Sequence, residues 1–265
     1  MRHIGLVFSL SVLALGPGCL DSGDSDPDPE PPTCSFDSYT PVTISGSVVD
    51  FSTKAPVPGA KVDITSAWNG YTVFPGPDAC PVLATVETGA DGKFGPLTVP
   101  VPSDGSQSFV LFLVDGAGRA PTASDNRICA EATCTLEHTI AAPSLAVADS
   151  WRQELAAGGM TGADTKGLIA FEYRNTDGTP ADSVAAEFGT DERRPLAPGT
   201  EVRYLRPDRA ALAPASTSAT TTAGVALIGR DQTAFIGGHR GQVGWNLTGC
   251  LLEPGWIFLE DLRAP

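Results

Sequence analysis

The sequence predicts an all-β chain: two tandem β-sandwiches joined by a short helix, after a signal peptide and a disordered acidic tether. Three observations predict it. Short apolar stretches alternate with Asp-Gly turn pairs through most of the 265 residues, the pattern of a sandwich or barrel rather than a parallel α/β sheet. One strand–turn–strand pattern occurs twice. The first forty residues differ in kind from all that follows.

Those forty residues come first. Arg2 and His3 precede an apolar run over residues 4–15, the length of a signal-peptide core and too short to span a bilayer. Gly16, Pro17, Gly18 and Cys19 follow. Residues 20–33, LDSGDSDPDPEPPT, carry five acids and four prolines. Such a segment cannot bury enough surface to fold; it stays extended, with a reach of roughly 45–50 Å. Asp24, Asp26 and Asp28 alternate as in a calcium loop, but Pro29 stands where the turn glycine belongs, which favours a tether. A small residue and Cys19 placed between signal core and tether resemble the lipobox of bacterial lipoproteins. The resemblance implies a lipid on Cys19 that anchors the chain to a membrane of the cell envelope. Leu20 in place of an Asp favours the outer membrane, and ordinary cleavage after Gly16 with secretion is the alternative.

An exported chain tends to pair its cysteines. Cys129 and Cys134 are the candidate local disulfide, and Cys34 with Cys80 a second. Cys250 is then left over, and the three pairings of the four earlier cysteines stay open.

Strands are expected over residues 42–49, 60–64, 108–114, 167–173 and 256–259, with turns at Asp91-Gly92, Asp104-Gly105, Asp115-Gly116 and Asp177-Gly178. Comparing the chain with itself aligns Ile44, Gly46, Pro56, Ala60, Val62 and Ile64 with Leu168, Ala170, Pro180, Val184, Ala186 and Phe188 at one offset. Thr88, Gly92 and Phe94 align with Thr220, Gly224 and Ala226 at a second. Between the copies, Ser150-Trp151-Arg152-Gln153 reads as a capping box that opens a helix, with Gly158-Gly159 closing it and Trp151 and Leu155 on one face. The organisation is signal 1–18, tether 19–40, first sandwich 41–143, helical linker 144–163 and second, divergent sandwich 164–265.

Residues 44–64, ISGSVVDFSTKAPVPGAKVDI, with TGADGKFG at 88–95, resemble a carboxypeptidase regulatory-like domain. The resemblance implies the prealbumin-like (Ig-like) sandwich and a module that supports, displays or binds, with no catalytic residue to carry over. The second copy, from Gly167, keeps the spacing but has Ala170 for the first Gly and Ala223 for the turn Asp.

Thirty-one acids against 17 bases give a net charge of −14, which repels phosphate backbones and argues against nucleic acid as a partner. Metalloprotease, nucleophile-elbow and phosphate-loop motifs are all missing from the sequence. Residues 57–71 echo the strand before the iron site of intradiol dioxygenases. That iron needs two Tyr and two neighbouring His, whereas Tyr39, Tyr71, Tyr173 and Tyr204 are scattered and His138 and His239 lie far apart. No cofactor or metal is expected, and His239 reads as a surface loop residue.

Trp68, Tyr71 and Phe74 crowd one Gly- and Pro-rich stretch, where exposed rings could stack on sugars. The expected function is therefore structural or adhesive display on a lipid anchor, without catalysis. The alternative is a carbohydrate- or cell-wall-binding lipoprotein that uses this aromatic loop. An envelope protein or a glycan would be the partner.

Overall fold

The computed structural model describes residues 38–66, 82–103, 108–124, 127–129, 134–160, 167–189, 194–229, 234–250 and 255–264. The first half contributes β1 (Tyr39–Asp50), β2 (Lys61–Thr65), β3 (Ala84–Glu87), β4 (Lys93–Pro102), β5 (Ser108–Asp115), β6 (Thr122–Ala123), β7 (Arg127–Cys129) and β8 (Cys134–Ala142). One sheet has the order β4-β1-β8, with β1 and β8 parallel. Facing it, β3, β2, β5 and β7 pair in turn. Alternation along each strand sends Val42, Ile44 and Val48 inward to meet Val62, Ile64, Phe112 and Val114.

After helix α1 (Leu145–Ala157), the second half contributes β9 (Leu168–Arg174), β10 (Ala185–Phe188), β11 (Arg194–Pro195), β12 (Arg203–Tyr204), β13 (Val225–Gly229), β14 (Ala234–Arg240), β15 (Val243–Cys250) and β16 (Ile257–Arg263). Its sheets run β12-β13-β9-β16 and β11-β10-β14-β15. The chain is thus two β-sandwiches joined by a helix.

The two sandwiches share material. β6 pairs with β5 on one side and with β16 on the other, so one sheet runs without a break from the first sandwich into the second. Val110, Phe112 and Val114 of β5 point into the first core, while Leu111 and Leu113 point into the second, against Phe171 and Tyr173. This explains why β5 reads as an unbroken apolar run rather than an alternating one. β9 is buried along nearly its whole length for the same reason. Ile169, Phe171 and Tyr173 fill the second core, and Leu168 and Ala170 pack under α1 with Phe51, Trp151 and Leu155.

The helix begins six residues before the expected capping box. Ser144, extended at φ −66° and ψ 154°, is the N-cap, and its hydroxyl accepts the Val147 N–H at 3.3 Å. Ser150 instead lies mid-helix, where its hydroxyl donates to Glu154 Oε1 at 3.3 Å, one turn on. Pro143 fixes the extended approach, and the Ala-containing turn that follows is strong enough to start the helix there. The end is as expected: Gly159 adopts φ +85° and Met160 N–H bonds back to Leu155 O at 3.0 Å. Trp151 and Leu155 are fully buried on one face.

The duplication appears as a repeated hydrogen-bond frame. Thr88 Oγ1 donates to Val57 O and accepts the Ala60 N–H; Thr220 Oγ1 donates to Ala181 O and accepts the Val184 N–H. Gly92 and Gly224 both sit at positive φ, where a Cβ would meet backbone atoms at 2.8 Å, so only glycine closes either turn. The single-offset alignment fails on the first strand, however. Gly46 pairs with Phe94 and His138, and the residue paired with Ala226 and Glu260 is Phe171, not Ala170. Ile44 therefore corresponds to Ile169, since a one-residue slip would send it out of the core. The missing residue lies in the following turn: Val49 bridges Pro56, whereas Arg174 bridges Pro180.

Candidate functional site

The face where the two sandwiches meet gathers charge that the sequence scatters. Glu172 on β9 is buried, and ion pairs reach it from Arg209, from Arg174 and, at 3.7 Å, from Lys54 of the first sandwich. Lys54 and Arg209 both adopt positive φ, near +60°, although neither is glycine. Such a conformation persists only where its surroundings hold it, and here both cations lie over the Phe51 ring, 5.0 and 5.4 Å from its centroid. Arg174 also binds Asp261 of β16 at 2.9 Å. Asp50 pairs with Arg119.

Burial sets the electrostatics of this seam. It pushes the Lys54 ammonium below its usual range, against the pull of Glu172 and with the help of Arg209 and Arg174. For Asp50, burial acts upward, but the Thr53 N–H, the Arg119 guanidinium and the Thr53 hydroxyl together hold the carboxyl below its ordinary value. His138, on β8, is 8% exposed. Burial, then the charge of Arg127, pushes it down to about 3. Its ring is neutral at pH 7 and its Nδ1 accepts from Arg127 Nε at 3.2 Å, with Phe112 5.3 Å away, centroid to centroid.

A cavity of about 210 Å³ opens between β8 and β16, lined by His138, Ile140, Lys54, Glu172 and Glu260 among others. It borders a wider, more polar groove of about 520 Å³ lined by Arg127, Arg174, Arg263, Glu137 and Asp261. Cations, acids and a neutral imidazole interleave here. Such a set can lock two bodies together and present guanidinium groups to an anionic partner.

The residues singled out in the sequence fare differently. Cys129 and Cys134 are joined, with Cα atoms 5.8 Å apart, and the bond ties β7 to the start of β8 below Arg127. Cys19, Cys34, Cys80, Trp68, Tyr71 and Phe74 lie outside the described residues. Tyr173 and Tyr204 are core residues whose hydroxyls bond Gly237 O and the Ala186 N–H. His239 is not a loop residue: it lies on β14, opposite Ala185, with Nδ1 2.7 Å from Glu187 Oε1. His138, for which the sequence suggested no role, is buried on β8. Among the described residues, no group of three or more His, Cys, Asp or Glu could hold a metal ion. Glu172, Arg174 and Asp261 were not anticipated, because the pairing of β9 with β16 is what gathers them; the one available signal was that charged residues follow the apolar start of both strands.

Among solved structures, the chain is similar to the Bacillus anthracis TIE protein, at 10% identity over 85% of this chain and 34% of that one, with a TM-score of 0.27. It is similar to the shaft pilin spaA from Lactobacillus rhamnosus GG at 12% identity over 86% and 97% of the two chains, TM-score 0.26. Klebsiella pneumoniae 5-hydroxyisourate hydrolase matches at 18% identity over 38% and 90%, TM-score 0.25. The chain spans about a third of the length of the B. anthracis protein. The two sandwiches are defined by the strand pairing of the chain itself. No protein-family model matches the sequence, and no curated protein does.

Proposed function

We propose that this chain is a non-catalytic lipoprotein of the bacterial envelope. A lipid on Cys19 and an acidic tether over residues 19–40 would hold two prealbumin-like sandwiches, the first a carboxypeptidase regulatory-like domain, as a structural or adhesive display module. The observation that carries the reading is the shared core: Leu111 and Leu113, strand residues of the first sandwich, are buried in the second. Two bodies fused in this way move as one, which suits a part that must hold a partner at a set distance from a membrane.

Cells fed an alkyne-bearing palmitate analogue are expected to label the wild-type chain but not Cys19→Ser, and protease added to intact cells is expected to remove the sandwiches. A chain that stays unlabelled and resists the protease overturns display. Retention of the purified chain on insoluble peptidoglycan, lost in Trp68→Ala, would replace display with glycan binding through Trp68, Tyr71 and Phe74.

A further inference from the structure

The groove between the sandwiches is walled on both sides by strand edges rather than strand faces. Side chains alternate along a strand, so a face contributes every second residue to a cavity and an edge contributes successive ones. Residues 135–141 of β8 line the groove and its adjoining cavity without a gap. On the opposite wall, residues 259–261 of β16 do the same, followed by Arg263. The pairing pattern agrees. β8 ends its sheet, with β1 on one side and no strand on the other among the described residues, and β6 covers β16 only at Ile257 and Phe258.

The backbone of β8 is oriented for pairing on that open side. The His138 carbonyl points at β1, since a Cβ on Gly46 would meet it at 2.3 Å. In a parallel pair the main-chain groups of successive residues face opposite ways. Those of Glu137 and Thr139 therefore face the groove. Seven residues at roughly 3.3 Å each give an edge of about 23 Å, the length of a short extended peptide.

Charge selects the peptide. The excess of cations lies at the groove end, where Arg127, Arg174 and Arg263 face Glu137 and Asp261. In the adjoining cavity Lys54, Arg127 and Arg174 are balanced by Glu172, Glu260 and Asp261, so the peptide's carboxylates belong at the Arg263 end. Arg263 is two-thirds exposed and stands 3.8 Å from Asp261. We infer that this groove accepts an extended acidic peptide segment of a partner protein, which adds as a strand to the open edge of β8 while its carboxylates meet the arginines. The binding does not depend on the lipid anchor, so its failure would leave the display reading standing.

The test titrates the purified chain with a fluorescein-labelled octapeptide of alternating Asp and Val, read by anisotropy. Strand addition predicts saturable binding, weakened about tenfold or more when alternate peptide nitrogens are methylated, which leaves the charge unchanged and removes the main-chain donors. It also predicts weaker binding to Arg263→Glu, an exposed substitution that leaves the core untouched, and none for the peptide with Lys in place of Asp. Equal binding of the methylated peptide would mean charge attraction without a strand and overturns the inference. So does the absence of binding to millimolar peptide, or an unchanged affinity in Arg263→Glu.

Discussion

The two sandwiches keep one frame and fill it in opposite ways. In the first, Gly46 on β1 faces Phe94 on β4, and the ring occupies the space a side chain at Gly46 would need, 2.6 Å from its would-be Cβ. In the second, the same pair is Phe171 and Ala226, with the large residue moved to the other strand. Val48 and Val114 likewise give way to Tyr173 and Gly238, and a Cβ at Gly238 would sit 2.7 Å from the Tyr173 ring. Each pair stays filled while its bulk is divided differently between the two strands. The polar frame shows the reverse behaviour: the threonine bridge and the turn glycine recur atom for atom, because a buried N–H or carbonyl has few ways to be satisfied. The comparison teaches that cores diverge by exchange, whereas turns persist because their backbone geometry leaves no choice.

The largest expected effect comes from emptying the two cores. Phe94→Ala and Phe171→Ala should each cost about 3–5 kcal/mol, the range for a buried aromatic truncated to alanine, measured by urea denaturation. Leu111→Ala sharpens the comparison, since Leu111 belongs to the first sandwich by sequence and to the second by burial. Its loss should lower amide-exchange protection in β9 as well as in β5, and unfolding should stay a single transition. Two separable transitions, with the Leu111 effect confined to β5, would break the picture of a shared core.

Next comes a position where the copies differ in charge. His138 and Glu260 are equivalent, each on the strand parallel to the first strand of its copy. The folded-state pKa of His138, about 3, lies below the ordinary 6.5. Between those values the unfolded chain binds a proton that the folded chain does not. Stability should therefore fall as pH drops from about 6.5 towards 3, by on the order of 4 kcal/mol at the acid end. His138→Asn keeps an acceptor for Arg127 and cannot titrate in this range. The difference in stability between wild type and variant should shrink steadily over that window; a difference that stays constant would show that His138 is not the titrating group.

Much of this was legible in the sequence, and what escaped had a physical cause. The Thr88, Gly92, Thr220 and Gly224 frame was visible because only particular residue types can make such turns. The faces of β1 and β9 were read one residue out of step, because Ile44 and Leu168 are both apolar and β9 is buried on both sides, which erases the alternation that fixes register. The helix was found and its start misplaced, because Ser150 satisfies the capping pattern as well as Ser144 satisfies the geometry. The seam was invisible: Lys54 and Glu172 are far apart in the chain, and nothing local in either marks the other as its partner.

The threonine bridges come third in size. Thr88→Val and Thr220→Val each keep the side-chain volume and strand the Ala60 or Val184 N–H together with a carbonyl. The expected loss is about 1–3 kcal/mol in each copy, since an unsatisfied buried group costs its desolvation. Ser at either position should recover most of it. Equal losses would confirm that the frame matters alike in both copies, whereas a loss in one copy alone would mean that the other has an alternative donor or a water.

The smallest effect tests the element that joins the copies. Two serines compete for the role of N-cap, and their geometry separates them. Ser144 is extended and accepts an otherwise orphaned N–H of the first turn, so Ser144→Ala should cost about 1 kcal/mol, the usual worth of a capping hydroxyl. Ser150 lies where every backbone donor is already taken by the preceding turn, and its hydroxyl bonds a solvent-side carboxylate, so Ser150→Ala should be neutral or slightly stabilising, because alanine has the higher helix propensity. Thermal melts of the two variants side by side decide the matter. The reverse order would move the helix start to Ser150 and free residues 144–149. That outcome would also unseat Ala148, which packs in the same cluster as Phe51 and Trp151, and so loosen the joint on which the rigidity of the pair depends.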